Sequence, residues 1–404
     1  MLAPMLQSLA HIRVLDLTNV LAGPFACNQL AHLGADVIKI EVPGSGDLAR
    51  QLGADPELNR QYMGVSFLAQ NAGKRSLTLN LKDDRGKALL KRLVESADVL
   101  VENFRPGVMD RLGVGYDELK QHNPKLIYCA ISGYGADGPM KKLPAYDQII
   151  QGMSGVMSIT GAPENAPYRV GYPIADTLGG LTAAFAVSAA LAGREQHGEG
   201  AFIDVSMLES TLATMGWAIS NYLLAEREPG PMGNDNITAS PSGTFRTGDG
   251  LLNLAANKQQ QFEAVCELIG HPELATDPRF AERQARLDNR QLLTELIEQA
   301  LSQSPAAEWE QRFNAAGVPA GCVLSVPDAL ALPQVQQRNF QSRFENVAGI
   351  DRDVEIVRTG FQINGERPAV TNPPPQLGQH SAEILAELGL SADEVKQLQQ
   401  QGVV

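Results

Sequence analysis

The stretch "IRVLDLTNVLAGPFACNQLAHLGADVIKIE", residues 12–41, decides the fold. "IRVLDL" (12–17) is a short apolar run of strand length. In "PFACNQLAHL" Pro24 pre-sets the first turn of a helix and Gly34 stops it, and "DVIKIE" (36–41) is strand again. Strand, helix and strand in this order make a βαβ unit, whose two strands run parallel. The pattern repeats with "SLTLNL" (76–81), "DRGKALLKRLVESA" (84–97), "DVLVEN" (98–103) and "KLIYCAIS" (125–132), and a helix from Asp176 followed by "AFIDVS" (201–206) continues it. The spacing predicts an α/β protein built on a doubly wound parallel sheet.

Beyond this layer "MLESTLATMGWAISNYLLAERE" (207–228) reads as one long connecting helix. A Gly-, Pro- and Asn-rich segment, "PGPMGNDNITASPSGTFRTGDG" (229–250), follows it as a linker or mobile loop. Residues 251–330 hold a strand, "LLNLAA", and helices "QQQFEAVCELIG" and "RQLLTELIEQALSQ", as expected of a smaller domain; a proline-rich stretch (367–380) leads to a helical tail. Of 404 residues 44% are hydrophobic and 20% charged, the range of a globular protein with a sizeable core. The net charge of −13 argues against general affinity for nucleic acid or an anionic membrane. No run of 18 apolar residues and no signal-peptide pattern is present, which points to a cytoplasmic protein. Cys27, Cys129, Cys266 and Cys322 lack CxxC spacing and read as buried thiols, and no paired-histidine motif suggests a metal.

A βαβ protein invites a dinucleotide reading, but the turn after the first strand, "TNVLAGPF", has a single glycine instead of G-x-G-x-x-G. The G-x-S-x-G elbow is absent too. Basic residues are more informative: from Lys74 to Arg111 nine Lys or Arg stand against six Asp or Glu in an otherwise acidic chain. Arg85, Lys87, Lys91 and Arg92 suit a solvated helix face. Lys74, Arg75, Lys82, Arg105 and Arg111 fall at element ends, and "VENFRPG" lies just past a strand's carboxyl end, where open α/β sheets bind ligands. A phosphate-bearing ligand fits there, with Asn103 and Phe104 for hydrogen bonding and stacking. In "GYPIADTLGGL" (171–181) Asp176 is placed to cap a helix, a role worth ~1 kcal/mol. Gly179 and Gly180 in the first turn each cost roughly 1 kcal/mol relative to alanine, so they serve either packing or clearance for a large group. A helix start that keeps a carboxylate ionised and offers free N–H groups to an oxyanion suits a carboxylate nucleophile.

Taken together, "VLDLTNVLAGPFACNQLAHLGADVIKIEVPGSGD", "NAGKRSLTLNLK", "VENFRPGVMDRLG", "YCAISGYGADGP" and "YPIADTLGG" resemble the class III coenzyme A transferases, and the later "QQQFEAVCELIGHPELATDPRF" and "GQHSAEIL" extend the likeness over nearly the whole chain. The resemblance implies a Rossmann-like large domain of residues 1–225 completed by 331–404, a small domain of 226–330, and a homodimer whose chains interlock. It places the nucleophile on Asp176 and the CoA contacts on Leu21, Ala22, Leu79, Lys82, Asn103, Phe104, Arg105 and Arg111. An arginine that formyl-CoA transferase carries after the second strand is Val42 here. A run of four glycines that closes that enzyme's site is matched by "NITASPSG" (236–243), which implies a lid that is stiffer or is shaped for a larger acyl group.

The implied reaction exchanges CoA between carboxylic acids through an aspartyl anhydride and an aspartyl-CoA thioester. Coenzyme A and acyl-CoA are then substrates, and no permanently bound cofactor, metal, nucleic acid or membrane is called for. Related α-methylacyl-CoA racemases use a histidine before an aspartate after "GYG"; that pair is Tyr146-Asp147 here, which argues against an isomerase. A non-catalytic CoA-ester binding protein is the other alternative. The spacing "TGAPENAPYRVGYPIAD" looks most like the succinyl-CoA:glutarate branch, with Arg169 and Arg246 as possible partners for a free carboxylate.

Overall fold

In a computed structural model of the chain, which describes residues 7–404, the first βαβ unit forms as strand β1 (Arg13–Asp16), helix α1 (Ala22–His32) and strand β2 (Asp36–Glu41). Strands β3 (Lys74–Thr78), β4 (Val99–Glu102), β5 (Ile127–Ser132) and β6 (Ala201–Ser206) join them in a sheet of order β3-β2-β1-β4-β5-β6. Every pairing in it is parallel.

Both faces of such a sheet are covered, so its strands read as nearly continuous apolar runs whose alternate residues serve two cores. Val14, Val37, Val99 and Ile127 enter one core with α1 and the long helix Ile174–His197; Leu15, Ile38, Leu77 and Leu100 enter the other. Helix α2 (Asp84–Val94) and the C-terminal helices Ser381–Glu387 and Ala392–Gln400 close that second core, which also takes in Val403 and Val404.

Helices α3 (Asp147–Met153), α4 (Ile174–His197), α5 (Met207–Thr214) and α6 (Gly216–Ala225) complete this layer. The single connecting helix expected over 207–228 is two helices, interrupted at Met215, whose N–H is shared between the carbonyls of Thr211 and Leu212. Gly216, with its high conformational freedom, stands at the break. By length and composition alone α4 could cross a membrane. Here it packs on α1, α5, β5 and β6. Its glycines permit that: a Cβ on Gly180 would lie 2.3 Å from the Ala22 carbonyl oxygen, and one on Gly179 would lie 2.9 Å from Met207 Cγ. The pair is therefore a packing device for α1 and α5, and does not clear space for a ligand.

The chain separates into two compact units: the larger takes the described chain up to Val156, Arg169–Arg227 and Gln334–Val404, and the smaller takes Met157–Tyr168 and Glu228–Pro333. The smaller unit has its own antiparallel sheet of Ser242–Arg246, Leu251–Ala255 and Ala320–Cys322 over a core built on Phe262, Phe280, Trp309 and Phe313. Cys27, Cys129 and Cys266 are buried free thiols, whereas Cys322 is only half-buried.

The close approach at Gly180 sets a sign. Gly180→Ala gains about 1 kcal/mol of helix propensity but forces a methyl onto backbone, at a cost of about 1–3 kcal/mol, and the net effect is a lower midpoint in urea. Gly193→Ala in the same helix meets no atom within 4 Å and raises the midpoint. Equal shifts for the two variants would refute the packing role.

Candidate active site

In this strand order the connections from β1 and β4 leave to opposite sides, which opens a crevice at their carboxyl ends. The two turns that edge it are laced together. The Asn19 N–H donates to Asn103 Oδ1 at 2.8 Å, Asn103 Nδ2 donates to the Asn19 carbonyl at 2.8 Å, and Asn19 Oδ1 accepts the Leu48 N–H at 2.8 Å. A cavity of about 280 Å³ lies there. Leu21, Ala22, Asn103, Phe104, Arg105 and Asp176 all line it, so six of the residues singled out in the sequence share one cavity.

The other three lie elsewhere. Leu79 is buried in the core behind the sheet, with its N–H on the Glu41 carbonyl at 2.8 Å. Lys82 and Arg111 are exposed and outside the cavity lining. Two further cations with apparent ligand-binding promise are structural. Lys74 is fully buried against Asp16, at 2.8 Å, and Arg75 pairs with Asp36, Glu383 and Glu387 at the amino end of β3, away from the crevice. Arg169 is exposed, its Nε on the Val170 carbonyl at 3.3 Å. Arg246 belongs to the smaller unit, 3.7 Å from Glu298.

Asp176 does not cap its helix. The N-cap is Pro173, and Asp176 is the third residue inside. The capping carboxylate comes from α3: Asp147 Oδ1 accepts the N–H groups of Ala175, at 2.8 Å, and Asp176, at 3.3 Å. Gln151 Nε2 donates to Asp147 Oδ2 at 2.7 Å, and its Oε1 accepts the Val170 N–H at 2.9 Å, which holds the approach to α4 in place. The Ile174 N–H reaches the Tyr172 carbonyl at 2.8 Å. The N-terminal donors of α4 are therefore occupied. Gly179 and Gly180 lie deeper in the helix, with N–H groups committed to carbonyls one turn back, so they offer nothing to an oxyanion.

Asp147 thus takes the hydrogen bonds that would have stabilised an Asp176 carboxylate, and it adds a like charge. Burial first, and Asp147 second, push the Asp176 carboxyl up to about 7. The expectation that the helix start would keep this group firmly ionised is overturned by the second carboxylate. Among the described residues none donates a hydrogen bond to the Asp176 carboxylate, which faces the cavity. In the same lining, α1 starts at Ala22 with no side chain capping it, and Leu21 and Ala22 present that first turn to the cavity. Its unclaimed N–H groups are the donors a developing oxyanion could use.

Ile131, Tyr134, Leu143 and Met207 supply apolar wall, Tyr146 stands at the rim with 69% of its surface exposed, and Lys141 adds a second cation. Sequence reading passed over Lys141 because "MKKLP" has only the look of a polar loop, and Asp147 because its role depends on a helix distant in the chain. Among the described residues no cluster of three His, Cys, Asp or Glu side chains is placed to hold a metal.

Residues 9–381 match the model of CoA-transferase family III. The chain is 42% identical to acetyl-CoA:oxalate CoA-transferase of Acetobacter aceti, over 93% of this chain and 94% of that one. It is 38% identical to succinate–glutarate CoA-transferase of Agrobacterium fabrum, over 94% and 95%. A crystal structure of a CaiB/BaiF family protein from Brucella suis superposes with a TM-score of 0.83 at 35% identity, covering 93% of this chain and 98% of that one. A crevice at the sheet's switch point with an unpaired carboxylate and match to the family along nearly its whole length lead to one conclusion: the chain belongs to CoA-transferase family III and is an enzyme that transfers coenzyme A.

Proposed function

We propose that the enzyme moves CoA from an acyl-CoA donor, succinyl-CoA, to a dicarboxylic acid such as glutarate or itaconate, with Asp176 as nucleophile. The observation that carries this reading is the Asp176 carboxyl, free of hydrogen-bond donors, pushed up by burial and by Asp147, and turned into a cavity that the unclaimed N–H groups of α1 also line. The names of relatives that act on oxalate and glutarate support a dicarboxylate acceptor. Ionised Asp176 attacks the thioester carbonyl, giving a mixed anhydride and CoA thiolate. The thiolate attacks the aspartyl carbonyl and releases the donor acid, leaving an aspartyl-CoA thioester. The acceptor carboxylate attacks that thioester and re-forms an anhydride, and the thiolate then takes the acceptor's acyl group and frees Asp176. Neither water nor ATP enters.

Arg105 and Asn103 at the crevice are assigned to the CoA phosphates and pantetheine, with Lys82 and Arg111 reaching them from outside the cavity. An isomerase would need a second base, and the available carboxylate, Asp147, is engaged in capping α4. For the homodimer, the support is apolar surface in search of cover: α6 has no buried residue, and Trp217, Leu223 and Leu224 are 81%, 69% and 86% exposed. Interlocked chains cannot separate without unfolding, so light scattering should give a dimer at the lowest measurable concentration; a dilution-dependent monomer would refute that assembly.

Asp176→Asn should lower exchange by several orders of magnitude, because an amide cannot form the anhydride. In the wild type, hydroxylamine added during turnover should leave a mass change on the Asp176 peptide. A label on Asp147 instead would refute the assignment.

The raised carboxyl of Asp176 has two consequences for pH. Attack requires the ionised form, so kcat/KM should rise with pH, with a midpoint near 7, and level off above it. For stability the sign is the reverse. A carboxyl whose folded pKa lies at about 7 against 3.8 in a model peptide stabilises the fold fully below pH 4, and that contribution is lost as pH rises through 7. Asp176→Asn should therefore resist urea better than the wild type at pH 8, by a few kcal/mol at most, and match it at pH 4. A variant no more stable at pH 8 would show that the carboxylate is not strained by its site.

A further inference from the structure

Two cations, Arg105 and Lys141, stand in the cavity with Asp176, in a chain of net charge −13. Neither is engaged by an ion pair or a side-chain hydrogen bond among the described residues, whereas the buried Lys39, Arg50 and Lys74 all have carboxylate partners. Their places on the wall differ. Arg105 follows β4, next to Asn103 and Phe104, on the edge where the turn after β1 is laced to the turn after β4. Lys141 lies between β5 and α3, on the segment that runs through Tyr146 to Asp147, and Asp147 grips the first turn of the helix bearing Asp176. The chain thus brings Arg105 to the cavity on the turn after β4 and Lys141 on the segment that leads to Asp147.

The chemistry of the two groups agrees with this division. A guanidinium fork suits a diphosphate, and an ammonium on a flexible stem suits the single carboxylate of acids that differ in length. Apolar side chains, Ile131, Leu143 and Met207, share the wall with Lys141 and suit the methylenes between two carboxyl groups. Arg169 and Arg246, the other cations considered for this task, are not among the residues that line the cavity.

We propose that Lys141 is a specificity-determining residue: its ammonium pairs with the far carboxylate of a dicarboxylic acid whose near carboxyl reacts at Asp176. The proposal rests on the CoA-exchange reading above and names the side chain that selects the substrate class. The test uses acetyl-CoA as donor, so that the donor carries no free carboxylate, and compares glutarate with butyrate as acceptors. In Lys141→Ala the ratio of kcat/KM for glutarate to that for butyrate should fall at least tenfold, through KM for glutarate, and Lys141→Arg should restore most of it. A fall of equal size for both acids with a raised KM for acetyl-CoA would put Lys141 on the CoA phosphates and overturn the proposal. An unchanged ratio would overturn it as well. Exchange of butyrate by the wild type separates the two levels of inference, since its presence with an unchanged ratio in the variant leaves the CoA-transfer reading standing and removes only Lys141. Absence of exchange with every acid in the wild type, with succinyl-CoA as donor as well as with acetyl-CoA, would overturn both.

Discussion

The ammonium of Lys39, wholly buried, lies 2.9 Å from Asp47 Oδ2 and 3.0 Å from the Thr18 carbonyl, and both contacts grip the turn that follows β1. Asp16 below it is held by Lys74 at 2.8 Å, and Glu41 beside it by Arg50 at 2.6 Å. Burial alone would raise the Asp16 carboxyl; Lys39 and Lys74 hold it down to about 2. Desolvation offsets most of the attraction in such pairs, so their net contribution to stability is small, although removing one partner costs about 3–5 kcal/mol. Their effect is on geometry. Asp47 Oδ1 accepts the Val20 N–H at 2.9 Å, and Val20, a β-branched residue, sits in the left-handed region with φ of 69°. That conformation is costly by itself and persists because the charges beneath it fix the turn. The bent turn delivers Leu21 and Ala22 to the cavity and starts α1 without a cap.

At the start of α4 the same logic is applied with one carboxylate against another. Asp147 and Asp176 are close to a single helix start, and their surroundings divide the work between them. Asp147, 8% exposed, accepts bonds from two N–H groups and from Gln151. Asp176 accepts none and is left to the cavity, with its carboxyl raised by burial and by its neighbour. A carboxylate that is poorly solvated and unbonded is more nucleophilic than one at rest in a cap, so the stability lost at Asp176 and the reactivity proposed for it have one cause.

Much of this was legible in the sequence because it is local. The apolar runs 12–17, 36–41 and 201–206 and the Pro24 and Gly34 signals mark elements that neighbouring residues dictate, and the strands formed where those runs lie. Asp176 stood out by its position before a glycine pair, for a reason that proved different: the glycines let α4 meet Ala22 and Met207. What failed depends on distant partners. Lys74 and Arg75 looked like ligand-binding cations at an element end, but β3 begins there, at the sheet edge opposite the crevice, and Asp16 and Asp36 claim them. The cap from Asp147, 29 residues before Asp176, leaves no mark in the stretch around either residue. The break at Met215 was hidden because apolar residues run through both helices.

The proposed route runs through an anhydride and a thioester, both of which water would destroy, so transfer requires that water near Asp176 not be activated. The cavity lining meets that requirement by what it contains. Asp176 is its one carboxylate among the described residues, and no histidine or glutamate lines it. Once Asp176 is acylated, its own carboxylate is consumed, and the nearest other one, Asp147, is held by two backbone N–H groups and Gln151. Among the described residues that line the cavity no second carboxylate and no imidazole is left to take a proton from water. A thiolate or an acceptor carboxylate needs no such base, since each arrives already ionised. The same poverty of titratable groups that makes this site hard to recognise as catalytic thereby favours exchange between acids over hydrolysis.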